Sequence, residues 1–302
     1  MSRTDNASDG GPGSKLTLGP KTDPAFIALG SSSIQQRVLL AHWVAATQEG
    51  VQRYLGMPLG KAVLRWWLKD MPGASLIERQ GLPRHSLEKY LGAEALTLHI
   101  NPRTLLDGVR FPPRKEKKRP SSMAFIWDGD WDLLREPIMQ SSHYQFIRDL
   151  DENRHQLEQT KRYRDWMTLI ERGKPWSSHQ KGILLDTPEK IKTFLNIYIG
   201  YMDDMAANGY KAALGFDELD VVISREGHVL KISRGLHRLS IAVHVGVPSV
   251  PVRVCAVHRL WWKRVIGDAK GAEAMRRLQE AIQACAPDGV ASSGAPLRSV
   301  AG

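Results

Sequence analysis

The sequence predicts an α+β protein in which helices pack against a mixed β-sheet, preceded by a helical extension. Two observations support this fold class. Residues 219–224 and 229–233 are short apolar runs on either side of a tight turn at 225–228, and a third run, 250–257, follows a helical segment. Nearer the N-terminus, residues 35–55 and 58–69 carry apolar side chains at helical spacing.

The N-terminal half is predicted from periodicity and its interruptions. Ser33 is suited to cap the helix at 35–55, and a short helical turn covers 86–91 after the second helix. Residues 95–100 alternate between apolar and polar as a strand does, and Asn101 and Pro102 stop the run. We expect the hairpin, helix and strand at 219–257 to form one sheet-containing unit, with residues 98–100 contributing another strand beside it.

The second half is predicted from caps and turns. Helices are expected at 143–151, 160–172 and 187–208. Thr187 caps the last of these, Pro188 occupies its first position and Gly209 ends it. After the hairpin, a helix begins near Leu236 and ends at Gly246, before the strand at 250–257.

These elements divide the chain into five segments. We predict a disordered tail at 1–22, a helical N-terminal extension at 23–92, an α/β domain at 93–267, a C-terminal helix at 268–285 and a second disordered tail at 286–302. The two tails are rich in small and polar residues and lack periodicity.

Composition favours a soluble protein with polyanionic partners. The 302 residues carry 42 Lys and Arg against 32 Asp and Glu, a formal charge of +10. No apolar run approaches the ~20 residues that span a bilayer, and we expect no secretory signal. Cys255 and Cys285 are too far apart in sequence for a metal knuckle or a disulfide framework. The expected compartment is the cytoplasm.

A basic run at 110–120 contains six basic residues and one acidic residue. It could clamp a phosphate backbone. A solvated loop is the commoner outcome for such a run, and we favour it.

The turn formed by Gly235, Leu236, His237 and Arg238 is the motif that points to chemistry. Glycine permits a positive φ and a close approach of the backbone to a ligand. The free N–H groups of the following helix favour an anion, Arg238 adds a planar fork for two phosphate oxygens, and His237 can donate or shuttle a proton. In the alternative interpretation, His237 and Arg238 only cap and anchor the helix.

Residues 221–257, VVISREGHVLKISRGLHRLSIAVHVGVPSVPVRVCAV, resemble the ParB N-terminal/sulfiredoxin-like superfamily. The resemblance implies a ParB/sulfiredoxin-like mixed sheet with packed helices. It also implies that the glycine-turn helix binds a nucleoside triphosphate or diphosphate, with Gly235, His237 and Arg238 contacting its phosphates. A looser resemblance extends back to about Leu96.

The sequence departs from the superfamily pattern at three places, and these departures limit the functions that the resemblance implies. Leu236 stands where sulfiredoxins carry their catalytic cysteine, which excludes sulfinic-acid repair. His237 and Arg238 stand where partition proteins have two arginines, and no helix-turn-helix DNA reader follows. Arg234 replaces an acidic residue, which removes a candidate base and adds a cation to the phosphate site.

Asp128, Asp130 and Asp132 occupy alternate positions in a segment that also holds Trp127 and Trp131. Carboxylates on one face of an extended segment could hold Mg²⁺ beside a phosphate, or one could act as a base. Equally, the segment could be a surface turn whose tryptophans anchor it to the core.

Four histidines, at positions 228, 237, 244 and 258, lie close together in sequence, but their spacing does not suit one ion, and we predict no protein metal site. His258 could face the site. We favour instead a hydrogen-bonded histidine at the end of a strand.

The function that these patterns favour is a nucleotide-dependent phosphotransferase or nucleotide hydrolase, with a nucleoside triphosphate or diphosphate and Mg²⁺ as cofactors and an unknown small-molecule acceptor. Arg234, Gly235, His237 and Arg238 would bind phosphate, with Arg253 and His258 in the pocket. Asp130, Asp132 and His237 are the candidate catalytic residues. The alternatives are a ParB-like nucleic-acid-binding protein or nuclease and a catalytically silent scaffold.

Overall fold

A computed structural model of the chain describes residues 24–51, 57–111, 119–178, 181–211, 219–232 and 235–286. Outside these residues lie the predicted N-terminal tail, the C-terminal tail from 287 onward, most of the basic run and Arg234. The α-helices are α1 (Gln35–Val51), α2 (Met57–Leu68), α3 (Ala74–Gln80), α4 (Arg84–Leu91), α5 (Ser142–Glu152), α6 (Lys161–Glu171), α7 (Pro188–Asn208), α8 (Leu236–Val245), α9 (Arg259–Ile266) and α10 (Gly271–Ala284). None of the helices in the described ranges is long and apolar enough to cross a membrane.

The strands are β1 (Thr97–Ile100), β2 (Asp107–Val109), β3 (Ile126–Trp127), β4 (Arg135–Pro137), β5 (Trp176–Ser178), β6 (Ile183–Leu185), β7 (Asp220–Ile223), β8 (Val229–Lys231) and β9 (Val250–His258). Seven of them form one sheet in the order β1-β9-β7-β8-β2-β4, with β3 also paired to β9. β5 and β6 form a separate antiparallel pair. The α+β class with a mixed sheet is confirmed.

β9 is the centre of the large sheet. It pairs antiparallel with β1 and parallel with β7 and β3. β7 in turn forms the predicted antiparallel hairpin with β8, and Leu98 and Ile100 lie on the strand beside β9, as expected. Val221, Ile223 and Val254 are completely buried, so this region forms the core of the molecule.

The predicted caps are present at both ends of α7 and at the end of α8. The Thr187 hydroxyl accepts a hydrogen bond from the Lys190 amide at 3.3 Å, and Pro188 begins α7. Gly209 and Gly246 cap α7 and α8. Ser33 does not cap α1, because it lies within a 3₁₀ turn in which Ser31 accepts its amide hydrogen bond instead.

Several short elements were not predicted. α3 and α9 have seven and eight residues, and each strand of the β2–β4 and β5–β6 pairs has three. A three-residue strand is too short to show alternation, so such strands form only where a partner strand satisfies their backbone groups.

Arg259 ties the N-terminal helices to the sheet. Its guanidinium donates to the carbonyl oxygens of Glu78 and Arg79 at the end of α3, at 3.3 and 2.6 Å, and pairs with Asp128 at 2.7 Å. Trp67 of α2 packs against the fully buried Trp262, with ring centroids 6.0 Å apart. The N-terminal helices therefore share the core of the sheet.

We expect Arg259→Ala to destabilise the protein by about 2 kcal/mol, because it leaves two carbonyl groups near the core without their charged donor. A thermal melt should show a midpoint lower by several degrees.

Arg276→Ala is the matched control. Arg276 pairs with Glu273 and Glu280 on an exposed face of α10, where ion pairs add little. An equal loss of melting temperature in both variants would contradict the anchoring role of Arg259.

Candidate functional site

The glycine turn has the backbone conformation that the sequence predicted. Gly235 has φ 73° and ψ 17°, in the left-handed region that favours glycine, and α8 starts directly after it. The first intrahelical hydrogen bond runs from the Leu239 amide to the Gly235 carbonyl at 3.0 Å. The preceding amides therefore face outward from the helix end, and among the described residues no side chain caps them.

His237, in the first turn of α8, lies among cationic groups. Its ring centroid is 4.5 Å from that of His143 on α5. Burial lowers the pKa of His237 to about 3, and the positive charges of His143, Arg162 and Lys181 also lower it. The imidazole is therefore neutral at physiological pH.

Aromatic rings hold the two permanent cations beside α8. The Arg162 guanidinium lies 5.5 Å from the centroid of the Phe146 ring, and the Lys181 ammonium lies 5.8 Å from that of Phe26. Neither cation has a carboxylate partner within salt-bridge distance in the part of the chain that the structure describes. Their charges are thus uncompensated by that part of the protein.

Tyr198 of α7 completes the group. Its ring centroid is 5.2 Å from that of His237, and the side chain is only 5% exposed. Burial raises the pKa of Tyr198 to about 12, against the opposing effect of the nearby Arg162 charge. We refer to the Gly235 turn with His143, Arg162, Lys181, Tyr198 and His237 as the α8 site.

Arg238 takes a different position from the one predicted. One of its amino groups donates to the Lys211 carbonyl at 2.6 Å, and its guanidinium lies 4.3 Å from the centroid of the Tyr210 ring. These contacts attach the segment after α7 to the start of α8. The geometry therefore matches the anchoring alternative, and a phosphate contact by Arg238 remains a prediction.

Arg253 lies on β9 in an ionic cluster between the sheet and α4. It donates to Asp220 at 3.1 Å, and the other carboxylate oxygen of Asp220 is 3.9 Å from Arg84. Lys231, only 1% exposed, donates its ammonium protons to the carbonyls of Asp220 and Ile232. This cluster fixes the end of the hairpin from which the chain leaves for Gly235.

Asp132 and Asp130 belong to the opposite end of that hairpin. Asp132 is completely buried and accepts hydrogen bonds from the amide and guanidinium of Arg225, at 2.7 to 3.1 Å. Asp130 is 69% exposed and pairs with the same Arg225 at 2.9 Å. Arg225 lies in the turn between β7 and β8, whereas Gly235 follows the far end of β8.

The structure thus does not bring the predicted catalytic aspartates to the glycine turn. Their carboxylates are drawn to Arg225, which satisfies them with charged hydrogen bonds. The structural alternative, a turn anchored to the core, fits this arrangement: Trp127 and Trp131 are buried, with ring centroids 5.3 Å apart.

His258 is a hydrogen-bonded histidine at the end of β9, the interpretation that the sequence favoured. Its Nε2 lies 2.9 Å from the Gly129 carbonyl, and its Nδ1 accepts from the Leu260 amide at 3.0 Å, capping α9. Arg253 is five residues away on the same strand, roughly 16 Å at the usual rise of a β-strand. The two residues therefore do not both line one small pocket, and a place for either of them in the phosphate site remains a prediction.

The residues of the α8 site that the sequence did not reveal come from helices and a hairpin far apart in the chain. His143, Arg162, Lys181 and Tyr198 belong to no local motif. No sequence pattern distinguishes these positions from their neighbours, and only the fold brings the four side chains to α8. In the described ranges, no group of three or more His, Cys, Asp or Glu could hold a metal ion.

Comparison of the chain with protein-family models, with curated proteins and with solved structures found no match. The resemblance of residues 221–257 to the ParB/sulfiredoxin-like superfamily therefore rests on their sequence pattern.

We expect Asp132→Asn to destabilise the protein by roughly 1–3 kcal/mol at neutral pH, because an amide cannot replace the carboxylate that binds Arg225. Burial alone would raise the pKa of Asp132, but the hydrogen bonds from Arg225 hold the pKa below its ordinary value of 3.8. A depressed pKa contributes stability above the ordinary value and loses it as the pH falls through the folded-state value. The stability gap should be constant from about pH 7 to 5 and close in stronger acid.

Chemical denaturation of both proteins across this pH range measures the gap. Asp130→Asn, at the exposed member of the same pair, is the control and should melt like the wild type. An Asp132→Asn protein with wild-type stability would contradict the structural role of Asp132.

Proposed function

We propose that the chain is a ParB/sulfiredoxin-like protein that binds the phosphates of a nucleoside triphosphate or diphosphate at the α8 site. We further propose that it acts as a nucleotide-dependent phosphotransferase or nucleotide hydrolase. The observation that carries the proposal is that the charges of Arg162 and Lys181 act on His237 in the first turn of α8, a helix whose N-terminus no side chain of the described residues caps. Neither cation has a carboxylate partner among the described residues.

Electrostatics favours an anion here. The N-terminal end of α8 carries a partial positive charge and outward amides. Arg162 and Lys181 add two positive charges on the same side, and the charged groups that affect His237 in the described ranges are all basic. A phosphate would offset this potential and accept hydrogen bonds from several donors at once.

The order of elements supports the fold proposal. A hairpin leads through the glycine turn into α8, Gly246 ends the helix, and β9 returns parallel to β7. This is the arrangement implied by the resemblance of residues 221–257.

The residues around α8 suit phosphate binding better than metal binding. Mg²⁺ prefers carboxylate oxygens, and the described groups near His237 supply imidazole, guanidinium, ammonium and phenol. These residues do not fit a resident Mg²⁺, and we assign it no step. Arg162 and Lys181 neutralise phosphate charge, while the neutral His237 donates an N–H hydrogen bond to a phosphate oxygen.

We expect Arg162→Ala to weaken nucleotide binding by roughly 10- to 100-fold, the effect of losing one charged hydrogen bond. A thermal-shift panel first identifies the nucleotide that stabilises the protein. It contains ATP, ADP, CTP and GTP, each with and without Mg²⁺, and a short DNA duplex as a separate ligand. Calorimetric titration then compares the variant with the wild type.

Arg164→Ala supplies a control of the same charge on the exposed face of α6. It should bind like the wild type. Equal affinity of Arg162→Ala and the wild type would refute the α8 site, and stabilisation by the duplex alone would favour the nucleic-acid alternative.

Arg238→Ala should lower the melting temperature by a few degrees, because it removes the bond to the Lys211 carbonyl and the stacking on Tyr210. Once folded, it should bind nucleotide within about threefold of the wild type. Melting curves and titrations on one preparation measure both. A stable Arg238→Ala protein that binds nucleotide 10-fold more weakly would instead show that Arg238 contacts phosphate.

A further inference from the structure

We propose that the α8 site takes a terminal phosphate group, a phosphomonoester dianion, and that the side chains of His143, Tyr198 and His237 select it against phosphodiesters. This inference rests on the proposed function and specifies the ligand of the same site.

Three polar side chains from three helices meet at the first turn of α8. The ring of His237 lies 4.5 Å from that of His143 on α5 and 5.2 Å from that of Tyr198 on α7, measured between centroids. Phe146 packs edge-on to His237 at 6.1 Å and holds the ring in place. The three groups are therefore positioned by the core rather than by a loop.

None of these three side chains has a hydrogen-bond partner among the described residues. The Tyr198 side chain is only 5% exposed, yet its hydroxyl is not among the buried polar atoms without a partner, so the hydroxyl keeps contact with solvent and is open to a ligand. Its hydroxyl lies within electrostatic reach of Arg162. The Tyr198 hydroxyl makes no hydrogen bond to the described residues and lies near the Arg162 charge. It can therefore donate a hydrogen bond to an anionic ligand.

The site supplies more hydrogen-bond donors than the two free oxygens of a phosphodiester can accept. The Tyr198 hydroxyl, the two imidazoles, the outward amides of α8 and the two cations all favour an acceptor. A terminal phosphate offers three oxygens and up to two negative charges, whereas a diester offers two free oxygens and one charge.

A terminal phosphate can come from a free nucleotide or from the 5′ end of a nucleic-acid strand. ADP and ADP-ribose separate a phosphate with three terminal oxygens, as in a monoester, from one with two, as in a diester, because ADP-ribose carries the same adenosine diphosphate with its outer phosphate esterified. A 5′-phosphorylated oligonucleotide, compared with its 5′-hydroxyl form, separates the two sources.

Titration of the full-length protein should show ADP binding at least 10-fold more tightly than ADP-ribose. Tyr198→Phe should weaken ADP binding by about 10-fold and reduce this preference, without lowering the melting temperature, since the hydroxyl has no protein partner to lose. Tyr144→Phe, a buried tyrosine that packs against His244 instead, should leave both affinities unchanged.

Equal wild-type affinity for ADP and ADP-ribose overturns the inference, as does unchanged ADP affinity in Tyr198→Phe. In either case Arg162→Ala still tests the proposed function separately. If no phosphate compound binds, both proposals fail. A preference for the 5′-phosphorylated strand over its 5′-hydroxyl form keeps the monoester selection and identifies nucleic-acid ends as the source.

Discussion

The parallel pairing of β7 with β9 is the constraint on which the rest of the structure depends. Parallel neighbours cannot be joined by a tight turn, so the chain must return through a crossover. Here the crossover is β8 followed by α8, and Gly235 is the point at which the strand direction turns into the helix. The position of α8 against α5 and α7, and hence of the whole α8 site, follows from that pairing.

The two ends of the β7–β8 hairpin have opposite polar character. At the turn, Asp132 is enclosed by hydrogen bonds from Arg225, and the charges compensate each other. A network whose charges are paired in this way makes the region rigid, and its paired groups do not favour binding of a ligand. Beyond the other end, the side chains of His237 and Tyr198 have no hydrogen-bond partner in the described ranges, and the charges that act on His237 share one sign. Binding of an anion that accepts hydrogen bonds would stabilise polar groups in such an environment.

The neutrality of His237 comes first from its burial and then from the cations around it. Burial disfavours the charged imidazole most strongly, and the charges of Lys181 and Arg162 add to this effect, so its pKa falls to about 3. A bound anion would oppose those cations, whereas the effect of burial would remain.

Local chemistry was sufficient to predict the elements and the turn. Thr187, Pro188 and Gly209 delimit α7, and Gly235 adopts its positive φ, because caps and turns depend on residues within one helical turn. The aspartates at 130 and 132 were candidate catalytic residues, yet both carboxylates bind Arg225, which only the packing of distant segments brings to them. For the same reason His143, Arg162, Lys181 and Tyr198 could not be found from sequence. They surround α8 only because α5, α6, α7 and the β5–β6 hairpin pack together, and contacts between segments so far apart leave no pattern in any one of them.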